Sequence, residues 1–182
     1  MKPSYYKNKE VVSSYEAERF KTHRLTKEYL DVIERGFVAK WAKGNVLDVG
    51  CGTGRMSFLS NYIGLDFSDE MIKEAIKLHP YKQFAHGDAT KIPFKDNYFD
   101  TVISFRLLMH LKDWKKAFKE MMRVCKKGGI IIIDVKTKLL FPQNLIRKNK
   151  INLISLNELP HPEVVFDFPP KLPLTKLLVI RK

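Results

Sequence analysis

The chain of 182 residues is 45% hydrophobic and 29% charged, a balance that suits one soluble globular domain with a full core and leaves no apolar run near the roughly 18 residues that span a membrane. Its formal net charge of +13 attracts polyanions, so RNA or an acidic metabolite is a candidate partner, while lysines spread along the whole chain serve equally as a solvating surface. Cys51 and Cys125, the only cysteines, form no CxxC pair and no metal-ligand spacing, which points to a reduced compartment and to no metal site; the opening "MKPSYYKNKE" lacks the apolar centre of a signal peptide, and the expected location is the cytoplasm.

Residues 1–44 read as a helical segment in front of a core at 45–182, the whole being a single domain. Ser13 followed by Glu16 fits a capping box, so a short helix "SYEAERF" is expected to start there. A longer helix is expected over about 26–43, because Leu25, Tyr29, Ile33, Phe37 and Trp41 recur every fourth residue and make one apolar face.

From Asn45 onward short apolar runs alternate with helical patterns. "VLDV" (46–49) and "YIGLD" (62–66) are strand-like. "SDEMIKEAIKLH" then has Ser68 as N-cap, acids in its first turn, and Met71, Ala75 and Leu78 on one face. "KQFAHGD" is a third strand, and "FDTVISF" (99–105) a fourth whose consecutive apolar residues suit burial on both faces. In "DWKKAFKEMMRVC" Trp114, Ala117, Phe118, Met121 and Cys125 face inward, and "IIIIDV" (130–135) follows as a buried strand. "EVVFDF" (163–168) and "TKLLVIRK" (175–182) are two more strands, joined by a loop too short for a crossover helix and hence antiparallel. The pattern specifies an α/β, doubly wound, seven-stranded sheet, mostly parallel with an antiparallel C-terminal pair. Ligands of such sheets bind beyond the carboxyl ends of the strands.

"VLDVGCGTGR" (46–55) sets an acid and three alternating glycines at that end of the first strand. The phosphate loop GxxxxGK[ST] does not fit, since no Lys-Ser or Lys-Thr follows the last glycine. The dinucleotide fingerprint GxGxxG also fails, because Arg55, or Ser57 in the other register, stands where its last glycine belongs. Asp66 at the end of the second strand, 18 residues past Asp48, is a carboxylate costly to bury without a ligand.

With "LDVGCGTGR", "IGLDFSDEM", "GDATKIPFKDNYFDTVIS", "LLMHL" and "VCKKGGIIII" in this order between residues 45 and 135, the chain resembles the class I methyltransferases that use S-adenosylmethionine (SAM), in particular the group containing the ubiquinone and menaquinone biosynthesis methyltransferases. The resemblance implies a Rossmann-like sheet with SAM as cofactor. It implies that Gly50, Cys51, Gly52 and Gly54 bring backbone close to SAM, that Asp48 lies near the methionine amino group, and that Asp66 with Phe67 meets the ribose. On the same grounds Asp88 and Ala89 border the adenine, Met71 packs on its ring, and Ser104 and Phe105 lie near cofactor or acceptor. "SSYEAERF" resembles the segment that closes over SAM in some relatives, which puts Tyr15 and Arg19 near the cofactor carboxylate.

Methyl transfer from a sulfonium needs alignment and a dry site more than a catalytic triad. If the acceptor must lose a proton, His110 in "SFRLLMHL" is the candidate base, though this chain has Met109 before it where many relatives have a second histidine. Arg106 either binds an acidic acceptor or extends to solvent, and Asp134 ends the fifth strand. Only seven residues, "RMSFLSN", separate Gly54 from the second strand, so the first crossover helix is abbreviated or distorted, and no cap domain follows the fifth strand; an open pocket is expected. The expected reaction is methylation of a small-molecule acceptor. The alternatives are an RNA methyltransferase, probing tRNA by charge and by the resemblance of its shortened loop to wobble-uridine tRNA methyltransferases, and a SAM-binding protein without turnover. The sequence sets no oligomeric state.

Overall fold

The computed structural model describes residues 8–12, 14, 24–136, 152–168 and 175–182. Its centre is one sheet of β1 (Val46–Val49), β2 (Tyr62–Asp66), β3 (Gln83–His86), β4 (Phe99–Ser104), β5 (Cys125–Lys136), β6 (Val164–Phe168) and β7 (Thr175–Arg181). The spatial order is β3-β2-β1-β4-β5-β7-β6. β1 to β5 are mutually parallel, and β7 runs antiparallel between β5 and β6. All seven strands read from the sequence are present, in the mostly parallel sheet with the antiparallel pair that the pattern specifies. The winding direction reverses between β1 and β4, so a crevice opens beyond their carboxyl ends.

Alternation along the strands builds two cores. Leu47, Val102, Ile131, Ile133 and Leu178 point to one face, where they meet Ala117, Met121 and Val124 of α3 (Trp114–Val124) together with Ile154 and Leu159. Val46, Ile103, Ile132, Leu177 and Val179 point to the other. There they meet Val38 of α1 (Arg24–Trp41) and Ile72 of α2 (Asp69–Leu78). Strands covered on both sides are therefore largely apolar on both faces, because successive side chains point to opposite sides. Ser68 caps α2 by accepting the Met71 N–H at 3.3 Å, and Asp69 and Glu70 fill the first turn of that helix, where the helix dipole favours anions.

Four local expectations change. The first helical stretch covers residues 9–12 and 14 and is capped by Asn8: Asn8 Oδ1 accepts from the N–H groups of Glu10 (2.9 Å) and Val11 (3.3 Å). Ser13, Tyr15, Glu16 and Arg19 lie outside the described residues. In α1, Ile33, Phe37 and Trp41 of the expected apolar ladder pack against the core, but its buried centre is Glu34 and Val38, 2% and 0% exposed, and Tyr29 of the ladder is 58% exposed. Leu78 is exposed and Ile72 takes its place beside Met71 and Ala75. β5 starts five residues early, since Cys125 pairs with Phe99 across a shift in register before Ile130 meets Thr101.

The first crossover, residues 50–61, is built of turns. Bonds from Gly54 N to Cys51 O, Ser57 N to Gly54 O and Leu59 N to Met56 O carry the chain forward three residues at a time. Met56 enters the core at 1% exposure, which does the anchoring that a helix face would do. The crossover stays tight because Gly64 of β2 leaves room for it: a Cβ there would lie 2.6 Å from Phe84 Cδ1 and 2.8 Å from Cys51 Sγ. Gly64→Ala should therefore destabilise the protein by about 1–3 kcal/mol, as overpacking does. Urea denaturation checks this, and a neutral or stabilising result would mean that Phe84 and Cys51 move aside freely.

Candidate active site

Segments following β1, β2, β3 and β4 enclose a cavity of about 380 Å³ at the reversal point. Its walls are Val49–Thr53 with Arg55, Leu65–Ser68 with Met71, Gly87–Ala89, and Phe105–Leu107 with His110 and Leu111. Of the residues singled out by sequence, Gly50, Cys51, Gly52, Asp66, Phe67, Met71, Asp88, Ala89, Phe105 and His110 line this one space. Asp48, Gly54 and Ser104 do not. Ser104 is 1% exposed and donates its hydroxyl to Val49 O at 2.8 Å, a strap between β4 and β1. Gly54 packs toward His79 and Phe84. Tyr15 and Arg19 fall on residues outside the description.

The glycine loop is folded back on β2. Gly50 and Cys51 both donate their N–H groups to Leu65 O, at 2.7 and 3.0 Å. Gly50 has φ +77°, and a Cβ there would meet Leu107 at 2.9 Å. Gly52 has φ +55°, yet a Cβ there would touch no protein atom within 4 Å; the space it faces is the cavity itself. The two carboxylates of the motif part company here. Asp66 accepts from Gly52 N–H on Oδ2 and from Ser68 N–H on Oδ1, both at 2.9 Å, so it joins the loops after β1 and β2. Burial pushes its pKa up and these N–H donors pull it back. Asp48 is 4% exposed, accepts the Tyr62 hydroxyl at 2.9 Å, and has its pKa pushed up to about 7, chiefly by burial.

A second layer of charge stands behind the wall. Glu34 of α1 accepts from two arginines through one oxygen: Oε2 lies 2.7 Å from Arg55 Nη1 and 2.6 Å from Arg106 Nη2. Arg55 Nη1 also donates to Asp31 at 2.9 Å, and its guanidinium lies 5.7 Å from the Phe105 ring centroid. Arg35 of α1 in turn donates to Arg55 O at 2.7 Å. His110 sits at the end of the 3₁₀ turn Leu108–His110. Its pKa is lowered, first by desolvation against the cavity wall and further by the charge of Lys136, so it is neutral at pH 7. Among the described residues no group of His, Cys, Asp and Glu could hold a metal ion, and no helix is long and apolar enough to cross a membrane.

Residues 47–133 match the family model described as a methyltransferase domain. A demethylmenaquinone methyltransferase of Renibacterium salmoninarum is 38% identical over 120 residues, covering 57% of this chain and 50% of that one. A phosphatidylethanolamine N-methyltransferase of Cereibacter sphaeroides is 37% identical over 100 residues, covering 50% and 49%. A solved structure from Thermotoga maritima, described as a SAM-dependent methyltransferase and possible histamine N-methyltransferase, superposes with a TM-score of 0.68 over 85% of this chain and 75% of its own, at 24% identity. Residues 47–133 belong to the methyltransferase domain family, and the chain is similar over that stretch to SAM-dependent methyltransferases. It spans about half the length of the curated relatives it matches.

Several features of this methyltransferase are absent from the motif reading. Thr53, Arg55, Leu65, Ser68, Gly87, Leu107 and Leu111 also line the cavity, and Asp31 and Glu34 brace it. Most of the former were reachable as neighbours of the motif residues. The bracing pair carried a fainter signal: Asp31, Glu34 and Arg35 interrupt the polar side of α1 three and four residues apart, a spacing that also suits an ordinary solvated helix face.

The braced methyltransferase wall has two consequences for stability. Asp48 in the fold keeps its proton to about pH 7, against an ordinary value of 3.8. An acid with a raised folded pKa contributes stability fully below about pH 4 and loses it as pH rises through about 7. Asp48→Asn should remove that loss, so its advantage over wild type in urea should widen by on the order of 4 kcal/mol between about pH 4 and pH 8; a pH-independent difference would mean that Asp48 is ionised throughout. Glu34→Ala leaves two partly buried cations without their shared anion, Arg55 keeping only Asp31, and should cost about 1–3 kcal/mol, whereas a thermal melt unchanged from wild type would show that water replaces the carboxylate.

Proposed function

We propose that this chain catalyses transfer of a methyl group from SAM to a small-molecule acceptor by in-line displacement. The observation that carries the reading is Asp66. Its two oxygens each take one backbone N–H, which fixes the carboxylate at the cavity wall and leaves further lone pairs for a pair of hydroxyl donors such as those of a ribose. The cavity fits SAM in its other requirements too. Gly52 presents bare backbone to open space, Met71 and Ala89 give apolar surface at 2% and 9% exposure, and Asp88 keeps Oδ1 on Thr90 N at 2.7 Å, with its second oxygen left for a polar ligand edge.

Bound SAM would supply an electrophilic methyl group on a sulfonium. The protein's own work is then alignment, worth roughly 7–11 kcal/mol when a bimolecular step becomes effectively unimolecular, and exclusion of water by Phe105, Leu107 and Leu111. Neutral His110 on the same wall accepts a proton from the acceptor where one must leave. The names of two relatives, a phosphatidylethanolamine and a demethylmenaquinone methyltransferase, support an acceptor of small, lipid-like kind.

The net charge of +13 favours RNA as the competing acceptor. That reading requires tRNA affinity to fall steeply with salt, with a log–log slope set by the phosphates contacted; affinity flat between low and physiological salt removes it. The reading of a SAM-binding protein without turnover falls once label from SAM appears in any acceptor. For the donor site, calorimetry should show SAM binding to wild type and a loss of about tenfold or more in Asp66→Ala, as expected for charge-assisted hydrogen bonds. Wild type that ignores SAM, or binds NADH in its place, would overturn the proposal.

A further inference from the structure

Arg106 holds a backbone conformation that arginine seldom adopts. Among the described residues other than glycine, only Asn97 and Arg106 have positive φ, +53° and +59°. Asn97 is in a turn, where its short polar side chain tolerates that region. Arginine has no such excuse, and strain of this kind persists where surrounding groups enforce it.

Two carboxylates enforce it. Asp134, at 2% exposure, accepts the Arg106 N–H on Oδ1 at 2.6 Å. Its Oδ2 is buried without a hydrogen-bond partner, with Lys136 Nζ 3.8 Å away, so a buried carboxylate is committed to a single backbone N–H. Glu34 then takes one edge of the guanidinium, with Nη2 to Oε2 at 2.6 Å and Nε to Oε1 at 3.4 Å. A guanidinium has five N–H donors. The edge at Nη1 meets no acceptor among the described residues, and the side chain, 32% exposed, lines the cavity.

We infer that the methyl acceptor carries a carboxylate or a phosphate group and that Arg106 holds it through this open edge. The inference rests on the methyltransferase reading with a small-molecule acceptor and adds the acceptor's charge. Arg106 stands on the segment after β4 with Leu107, His110 and Leu111, whereas Asp66, Met71 and Ala89 follow β2 and β3. The anion it takes therefore belongs to the acceptor and not to the donor's carboxylate. Fixed on one side by Glu34, the planar fork is pre-oriented for a second oxyanion.

The test uses the full chain, labelled SAM and a low-mass cell extract, with labelled products separated on an anion exchanger. The expected product is retained as an anion. Arg106→Gln should lower kcat/KM for it by about 10- to 100-fold and leave SAM affinity by calorimetry within twofold. Arg106→Gly, which relieves the left-handed backbone, should show the same loss, since it removes the guanidinium; Arg106→Lys should recover part of it. A neutral or cationic product, or full activity in Arg106→Gln, overturns the inference. SAM affinity lost together with activity in Arg106→Gln would assign the anion to the donor and overturn it as well. Absence of any labelled small molecule while SAM still binds defeats the small-molecule reading itself, an outcome distinct from both.

Discussion

Glu34 is the one buried carboxylate through which the front of the molecule is joined to its active-site wall. Arg55 rises from the turn after the glycine loop and Arg106 from the end of β4, and both converge on Oε2 of this side chain. Desolvating an anion at 2% exposure is costly, and it is tolerated because two cations and their N–H donors surround it. Once Glu34 has to point inward, the orientation of α1 follows: Val38, one turn later, enters the core and Tyr29 is carried outward. The helix is thus positioned by charge as much as by apolar area. With no helix in the first crossover, Arg55 would otherwise project from a chain of turns, and α1 is the rigid element that immobilises it.

The same logic of desolvation separates the acids of the site. Asp48 and Asp66 lie on adjacent parallel strands, Asp48 inside β1 and Asp66 at the end of β2, but only Asp66 reaches the cavity. It receives two backbone N–H groups, and these counter its burial. Asp48 receives one hydroxyl from Tyr62, itself buried and held above its ordinary pKa, first by burial and then by the charge of Asp48. Asp134 has one N–H and a distant ammonium, and burial raises its pKa too. Burial raises the pKa of all three, and the number of N–H donors sets how far it is countered.

How far the sequence could be read depends on the range of the interactions that decide each feature. The strands and their burial were legible because two-sided cover leaves a local run of consecutive apolar residues, as in "FDTVIS" and "IIIIDV". The donor half of the cavity was legible for a related reason: Gly50, Gly52 and Asp66 act through backbone conformation at strand ends, and the spacing of the glycines records it. Phe105 and His110 were found by their place after β4. The burial of Glu34 was not legible, since it meets Arg106 across 72 positions of chain and nothing local distinguishes it from a solvated glutamate. The early start of the first helical stretch is a smaller case, in which Asn8 supplies the cap.

On the proposed reading, the donor and acceptor sides of the cavity are built on different principles. The donor side is backbone: left-handed glycines, N–H groups on Asp66, and the capped start of α2 beside it, all rigid without long side chains. The acceptor side is made of long side chains held from outside by Glu34 and Asp134. Within the group of Asp31 and Glu34 against Arg55 and Arg106 formal charge is balanced, so on this side the wall adds no net charge; the acids that line the cavity, Asp66 and Asp88, lie on the other. A sulfonium donor adds positive charge there, beside the open Nη1 edge of Arg106. In a space of low dielectric the ligand that relieves both is an anion, and an anionic acceptor would be drawn to the methyl group by the electrostatics that also orient it.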